Sequence, residues 1–297
     1  MNGMINVLKP PGMSSSGVTV FLRRILKMKR IGHAGTLDPG AAGVLVVLLG
    51  RATRLSDYLM SHRKTYIGEI CLGAKTDTLD SYGTVVQRQD CDISEREFCS
   101  ALTGFVGEIW QTPPAYSAVK IDGKKAYELA RRGQEAKKPP RKIVIHHLDF
   151  IRKIGKNRFL IRVECSKGTY IRTLASDIGE ALRVPASLAF LERIASGGYH
   201  AQDAYTVDEI KEMAEKSDFS FVQPPESALL ELPELRLDES SQFAIENGQT
   251  IQKSAPAEQF RLYCGQRFYG IGGKEGKGIR LNIALYESEY GKTNETV

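Results

Sequence analysis

The periodicity of apolar positions divides the chain into recognisable elements. Val44 to Leu49 is an uninterrupted apolar run bounded by Gly43 and Gly50, the pattern of a short strand buried on both faces, although a buried helix shares it. Lys64 to Leu72 alternates instead, with Tyr66, Gly68, Ile70 and Leu72 on one face, and Phe159 to Cys165 alternates likewise; both read as strands with one buried face. Val18, Phe21, Leu22, Ile25 and Leu26 recur at helical spacing behind Ser15 or Ser16 as the cap. Thr53 to Met60 reads as a short helix. A clearer helix runs over Ser94 to Gly104, where Ser94 and Glu97 form a capping box and Ile93 staples to Phe98. Another, around Ala126 to Arg132, ends at Gly133. Ser166-Lys167-Gly168-Thr169 turns into a helix with Ile171, Leu174, Ala175, Ile178 and Leu182 inward. Thr206 and Glu209 form a second capping box before a polar helix ending near Lys216.

Strands and helices are thus mixed along the chain, and the fold class expected of it is α+β. Gln223-Pro224-Pro225 reads as a linker. From about Leu229 one helix ending at Asn247-Gly248 precedes short strands around Phe260 to Cys264, Phe268 to Ile271 and Ile279 to Tyr286. The expected organisation is a main domain over 1–225 and a small, mostly β module over 226–297.

Charge sharpens this picture. The formal net charge is +6 over 297 residues. Between Lys120 and Lys156, twelve Lys or Arg face four Asp or Glu, a local +8, leaving 6 − 8 = −2 for the rest. Basicity concentrated in this way is the electrostatic footprint of a polyanion, most often nucleic acid. Inside it, Lys137-Lys138-Pro139-Pro140-Arg141-Lys142 cannot be helical through its prolines, so Lys137, Lys138, Arg141 and Lys142 are expected on an extended loop that grips a phosphate backbone. The five cysteines are scattered, without a C-x-x-C pair, which speaks against a disulfide framework or a cysteine zinc site. Neither a signal-peptide pattern nor an apolar run of membrane-spanning length is present, so the expected location is the cytoplasm.

The chemistry centres on Arg30 to Gly50. Asp38 is set among Gly32, Gly35, Gly40 and Gly43, which permit close approach of a ligand, while Pro39 pushes it toward an extended conformation. Arg23, Arg24, Lys27, Lys29 and Arg30 lead into this loop. Arg172 falls in the first turn of its helix, where a cation opposes the helix dipole and calls for an anion; Asp38 or an RNA phosphate is the natural candidate. Asp77 and Asp80 lie in a polar loop that lacks the glutamate and glycine offsets of an EF-hand, and it reads as a structured turn that orients a basic residue.

Five stretches, GHAGTLDPGAAGVL, KTYIG, TDTLDSYG, TPPAYSAVKIDGKKAYELAR and CSKGTYIRTLASDIG, closely resemble, in this order, the bacterial tRNA pseudouridine-55 synthases of the TruB family. The resemblance covers nearly all of residues 4–225 and loosens beyond, where the family carries a small PUA-type RNA-binding domain. It implies the pseudouridine synthase fold, with a mixed, largely antiparallel sheet flanked by helices. It also implies isomerisation of the T-loop uridine of tRNA to its C-glycoside, without metal or organic cofactor, by a stand-alone monomer. On the same basis Asp38 matches the catalytic aspartate, Tyr66 the tyrosine against the target base, and Arg172 the arginine paired with the aspartate. His33 matches the histidine that helps splay the T-loop nucleotides. Asp80, Tyr170, Lys9 and Leu191 fall at supporting pocket positions.

Three other readings compete. A glycosidase-like hydrolase would normally use a pair of carboxylates, and the Asp38 loop offers one. A non-catalytic tRNA-binding or RNA-folding protein would use the basic stretch alone. A synthase working within a guide-RNA complex is disfavoured by the bacterial-type motif TPPAYSAVKIDGKKAYELAR.

Overall fold

The computed structural model describes residues 1–114, 116 and 139–286, together with the backbone of 120–121 and 124–125. The helix expected around Ala126 to Arg132, and the loop residues Lys137 and Lys138, lie outside the described residues. In chain order the strands are β1 (Gly3–Lys9), β2 (Ile31–His33), β3 (Ala42–Leu49), β4 (Lys64–Leu72), β5 (Ala74–Thr76), β6 (Val85–Arg88), β7 (Gly107–Gln111), β8 (Lys120–Ile121), β9 (Lys124–Lys125), β10 (Arg141–Gly155), β11 (Arg158–Cys165), β12 (Ala186–Ser196), β13 (Tyr199–His200), β14 (Tyr205–Thr206), β15 (Glu234–Leu237), β16 (Gln259–Cys264), β17 (Arg267–Glu275) and β18 (Gly278–Ala284).

Ten of these form one mixed sheet in the order β14-β1-β3-β12-β4-β11-β10-β7, with β2 beside β3 and β13 beside β12. Its pairings are antiparallel except β1 with β14 and β3 with β12. β3 is covered on both sides, as its unbroken apolar run requires. Leu45, Val47 and Leu49 pack with Val18 and Leu22 of the helix Ser15–Ile25 and with Val207 and Ile210 of the helix Val207–Glu215. Val44, Val46 and Leu48 pack on the opposite side with Leu55 and Leu59. The inward residues of β4 and β11 meet Phe98 of the helix Glu95–Leu102 and Ile171, Leu174 and Ile178 of the helix Ile171–Ala181.

The C-terminal residues build a second sheet, β15-β16-β17-β18. It is not hung on a free linker. Gln223 exchanges backbone hydrogen bonds with Met4, both at 2.9 Å, Ile271 and Leu285 share the apolar cluster of Val44 and Val46, and Arg54 Nη1 donates to the Ala284 carbonyl at 2.9 Å. Among the described residues no helix is long and apolar enough to cross a membrane.

One cap differs from expectation in a way that matters for the site. Ser14, not Ser15 or Ser16, caps the helix Ser15–Ile25 by accepting from Gly17 N. Ser15 is thereby released for another task.

Candidate active site

Asp38 lies between β2 and β3 in a loop held from both sides. The buried Ser15 hydroxyl donates to the Leu37 carbonyl at 2.9 Å and accepts from the Leu37 N–H at 2.8 Å. On the other side Pro39 O accepts from Gly12 N at 2.8 Å and from Lys9 Nζ at 3.2 Å. Lys9 is wholly buried and its ammonium also donates to the carbonyls of Pro10 and Met13. Ala41 N closes the Asp38-Pro39-Gly40 turn on the Asp38 carbonyl at 3.0 Å. A Cβ on Gly40 would meet the ring of the largely exposed Tyr82, which would have to swing aside.

Arg172 points back into this loop. Its Nε stands 3.1 Å from Asp38 Oδ2 and its Nη2 3.5 Å from Oδ1. The Nε–H is not aimed along its short contact, so this is an ion pair more than a straight hydrogen bond. The same guanidinium donates to Thr78 O at 3.1 Å and to Tyr116 O at 2.6 Å. The Asp77–Asp80 turn therefore does orient a basic residue, through its backbone, while Asp80 Oδ1 accepts from Thr78 Oγ1 and Tyr82 N to shape the turn. Solitary arginines on helix faces are usually solvated, but the Arg172 side chain is only 5% exposed.

Asp38 keeps 39% of its side-chain surface open, on a cleft of about 880 Å³ whose walls include Tyr66, Tyr170, Arg172, Leu191 and Arg193. Burial pushes its carboxyl above the ordinary aspartate value. Arg172 and Lys9 pull it down, and Asp80 adds to the rise. Tyr66 is 8% exposed, its phenol raised above the usual value chiefly by burial. Arg141 and Lys142, expected on a backbone-gripping loop, line the same cleft as the first residues of β10. Arg141 is engaged there: it donates to Gly168 O and stacks 4.8 Å from the Tyr170 ring centre. Asp80 and Leu191 line a smaller recess that Asp38 also borders.

His33 lines neither space. It sits in β2 opposite Val47, its Nδ1 buried without a hydrogen-bond partner, and burial together with Arg193 lowers its pKa. Lys9 stands behind the loop and shapes it from within. Among the described residues no group of three or more His, Cys, Asp or Glu is arranged to hold a metal ion.

Three residues that the periodicity does not single out complete the frame. Gln111 clasps the backbone of Tyr170, donating to its carbonyl at 3.1 Å and accepting from its N–H at 2.7 Å. Lys64, buried, donates to the carbonyls of Met60 and His62. Arg193, 1% exposed, donates to Val44 O and Gly35 O. An inward-facing glutamine at the end of an edge strand, or a charge inside an otherwise apolar strand, is the only signal that could have marked them.

Residues 23–171 match the model of the TruB family pseudouridylate synthase N-terminal domain. Residues 172–230 match the tRNA pseudouridylate synthase B C-terminal domain, and 233–279 the C-terminal domain of pseudouridine synthase II TruB. The chain is 44% identical over 284 residues to the tRNA pseudouridine synthase B of Caldanaerobacter subterraneus subsp. tengcongensis, covering 94% of this chain and 98% of that one. It is 45% identical over 254 residues to the protein of that name from Moorella thermoacetica, covering 84% and 83%. Among solved structures, a Cbf5-Nop10-Gar1 complex contains a chain 27% identical to this one, with a TM-score of 0.70 and coverage of 91% and 78%. An H/ACA RNP bound to a substrate RNA containing 2′-deoxyuridine contains another, 23% identical, with a TM-score of 0.71 and coverage of 96% and 85%; at that identity the likeness is one of fold. By its matched domains and its relatives, the chain belongs to the TruB family of pseudouridylate synthases.

Proposed function

We propose that the protein converts uridine 55 in the T loop of tRNA to pseudouridine, with Asp38 as the catalytic residue. The observation that carries this reading is the Asp38–Arg172 pair, 3.1 Å apart at the wall of a cleft that Tyr66 also lines. The names of the relatives support tRNA as substrate.

A uridine stacked in a folded loop must be extruded before its glycosidic bond can be reached, and an extruded base needs an aromatic surface in a basic recess. Tyr66 and Tyr170 supply the surfaces, and Arg141, Lys142 and Lys167 the charge. The reaction breaks N1–C1′, turns the uracil and forms C5–C1′; the proton leaves C5 and one is gained at N1, so no co-reactant is required. Asp38 acts as the carboxylate, either on C1′ as a nucleophile or on the C2′ proton as a base, and Arg172 holds it ionised and aimed. The protein works as a stand-alone cytoplasmic enzyme. Residues 1–225 form its catalytic domain, with His33 opening the T loop and Lys137, Lys138, Arg141 and Lys142 on the RNA backbone, and 226–297 form a PUA-like accessory module.

The test is an unmodified tRNA transcript incubated with wild type and Asp38→Asn, with pseudouridine mapped by carbodiimide and primer extension. Modification at the T-loop uridine by wild type alone is expected. Equal modification by both proteins would remove Asp38 from the chemistry, and tight binding without modification by either would favour a tRNA-folding protein.

A further inference from the structure

Arg193 is one of four charged side chains buried among the described residues, with Lys9, Lys64 and Arg172. A guanidinium 1% exposed, with no carboxylate within ion-pair distance among the described residues, is expensive to keep inside a protein. Its neighbours make matters worse: it pushes the buried Lys9 and Lys64 ammonium groups, and His33, toward their neutral forms. Backbone carbonyls alone do not require a cation there, since neutral donors satisfy them equally well.

The placement explains the charge. Arg193 stands directly opposite Tyr66 in the β12–β4 ladder, and both side chains line the Asp38 cleft. Nε is taken by Val44 O at 2.7 Å and Nη2 by Gly35 O at 3.1 Å, so the fork is fixed at both ends of the loop that carries Asp38. Gly43 lets β3 come close enough for this, because a Cβ there would lie 2.2 Å from Arg193 O. Nη1 is left over by these two carbonyls, with Tyr66 as the cross-strand neighbour, and Arg193 draws the Tyr66 phenol down against the effect of burial.

We infer that Arg193 is a positioning residue for isomerisation: it ties the Tyr66 hydroxyl to the Asp38 loop and fixes the phenol relative to the carboxylate across the uracil ring. This rests on the reading of Tyr66 as the residue against the base. Arg193 touches no substrate atom itself and acts through Tyr66.

The experiment is a double-mutant cycle of Arg193→Met and Tyr66→Phe, read as the single-turnover rate constant and the Kd for a T-arm stem-loop RNA. Arg193→Met is expected to slow the single turnover by about a hundredfold, the scale set by a displacement near 1 Å, with Kd changed less than about threefold. In the Tyr66→Phe background the same change is expected to cost less than about threefold, because the hydroxyl it acts through is gone. Losses that multiply, or a wild-type rate for Arg193→Met, overturn the inference. Tyr66→Ala in parallel tests the underlying reading: a wild-type rate there removes Tyr66 from the base, whereas a slow Tyr66→Ala with multiplying losses removes only the Arg193 link. If circular dichroism shows Arg193→Met unfolded, Arg193→Lys, which keeps a cation but not the two-carbonyl fork, enters the same cycle with the same criteria.

Discussion

The Ser15 hydroxyl and the backbone of Leu37 form a closed pair, the oxygen donating to the carbonyl and accepting from the amide of the residue that precedes Asp38. Ser15→Ala leaves both backbone groups without a partner in a buried setting, so it is expected to destabilise the fold by about 1–3 kcal/mol. The loop it slackens carries the carboxylate, and turnover is expected to fall roughly tenfold while RNA affinity holds. Urea unfolding and single-turnover kinetics on one preparation check both halves. A stability loss without a rate loss would show that Lys9 and Gly12 suffice to hold the loop.

How much of this was legible in the sequence depends on the range of the interactions. The run Val44 to Leu49 and the face shared by Tyr66, Ile70 and Leu72 follow from local period, and both appear as expected. The capping boxes of Ser94 and Thr206 also form. β12 escaped because bulges between Leu188 and Phe190 and between Arg193 and Ala195 break its alternation. With it went Arg193, whose partners are 149 and 158 positions away in the chain. Arg172 was marked by its conflict with the helix dipole, but its burial was not, since that depends on Thr78, Tyr116 and Asp38 arriving from other elements. The cap fell on Ser14 rather than Ser15, a choice among three adjacent serines made by the Leu37 contact.

The pH dependence of the reaction should report the Asp38–Arg172 pair. Burial raises the Asp38 carboxyl above its ordinary 3.8, with Arg172 as the strongest opposing influence. In the proposed mechanism Asp38 acts in its ionised form, so the rate should climb with pH through an inflection above that of a free aspartate and then level. Arg172→Met removes the downward pull, and the inflection should move further up. The deficit of the variant should therefore be largest in acid and shrink as pH rises. Single-turnover rates across the acid range read the inflection directly, and an unmoved inflection would mean that another group controls the acid limb.

Lys142 and Lys167 line the cleft, and the Lys142–Glu108 contact at 2.6 Å joins two largely exposed side chains, which adds little stability. Lys142 is thus available to a phosphate. Replacing either lysine by Gln should weaken T-arm binding and lower the slope of log K against log salt by about 0.7–0.9 per site, the counterion released by one phosphate contact. Fold stability should stay within about 0.5 kcal/mol of wild type. Filter binding at several salt concentrations measures the slope, and a parallel shift with unchanged slope would place the backbone contacts elsewhere.

Lys9 offers a test of the frame that needs no RNA. Its ammonium is fully buried and lowered to about 8 from 10.5, mainly by burial, with Asp38 opposing and Arg193 adding to the drop. Between those two values the unfolded chain still holds the proton that the folded chain has released. Stability therefore rises with pH in that window, since the unfolded state binds more protons. In Lys9→Met this contribution is absent, while Lys64 and the other titrating groups remain in both proteins and largely cancel in the comparison. The stability difference, wild type minus variant, should accordingly shift in favour of wild type by about 1–3 kcal/mol from pH 7.5 to pH 10. Urea midpoints at several pH values measure it. A difference that stays flat would mean that Lys9 keeps its proton throughout, held by the carbonyls of Pro10, Met13 and Pro39 and by the nearby Asp38 carboxylate.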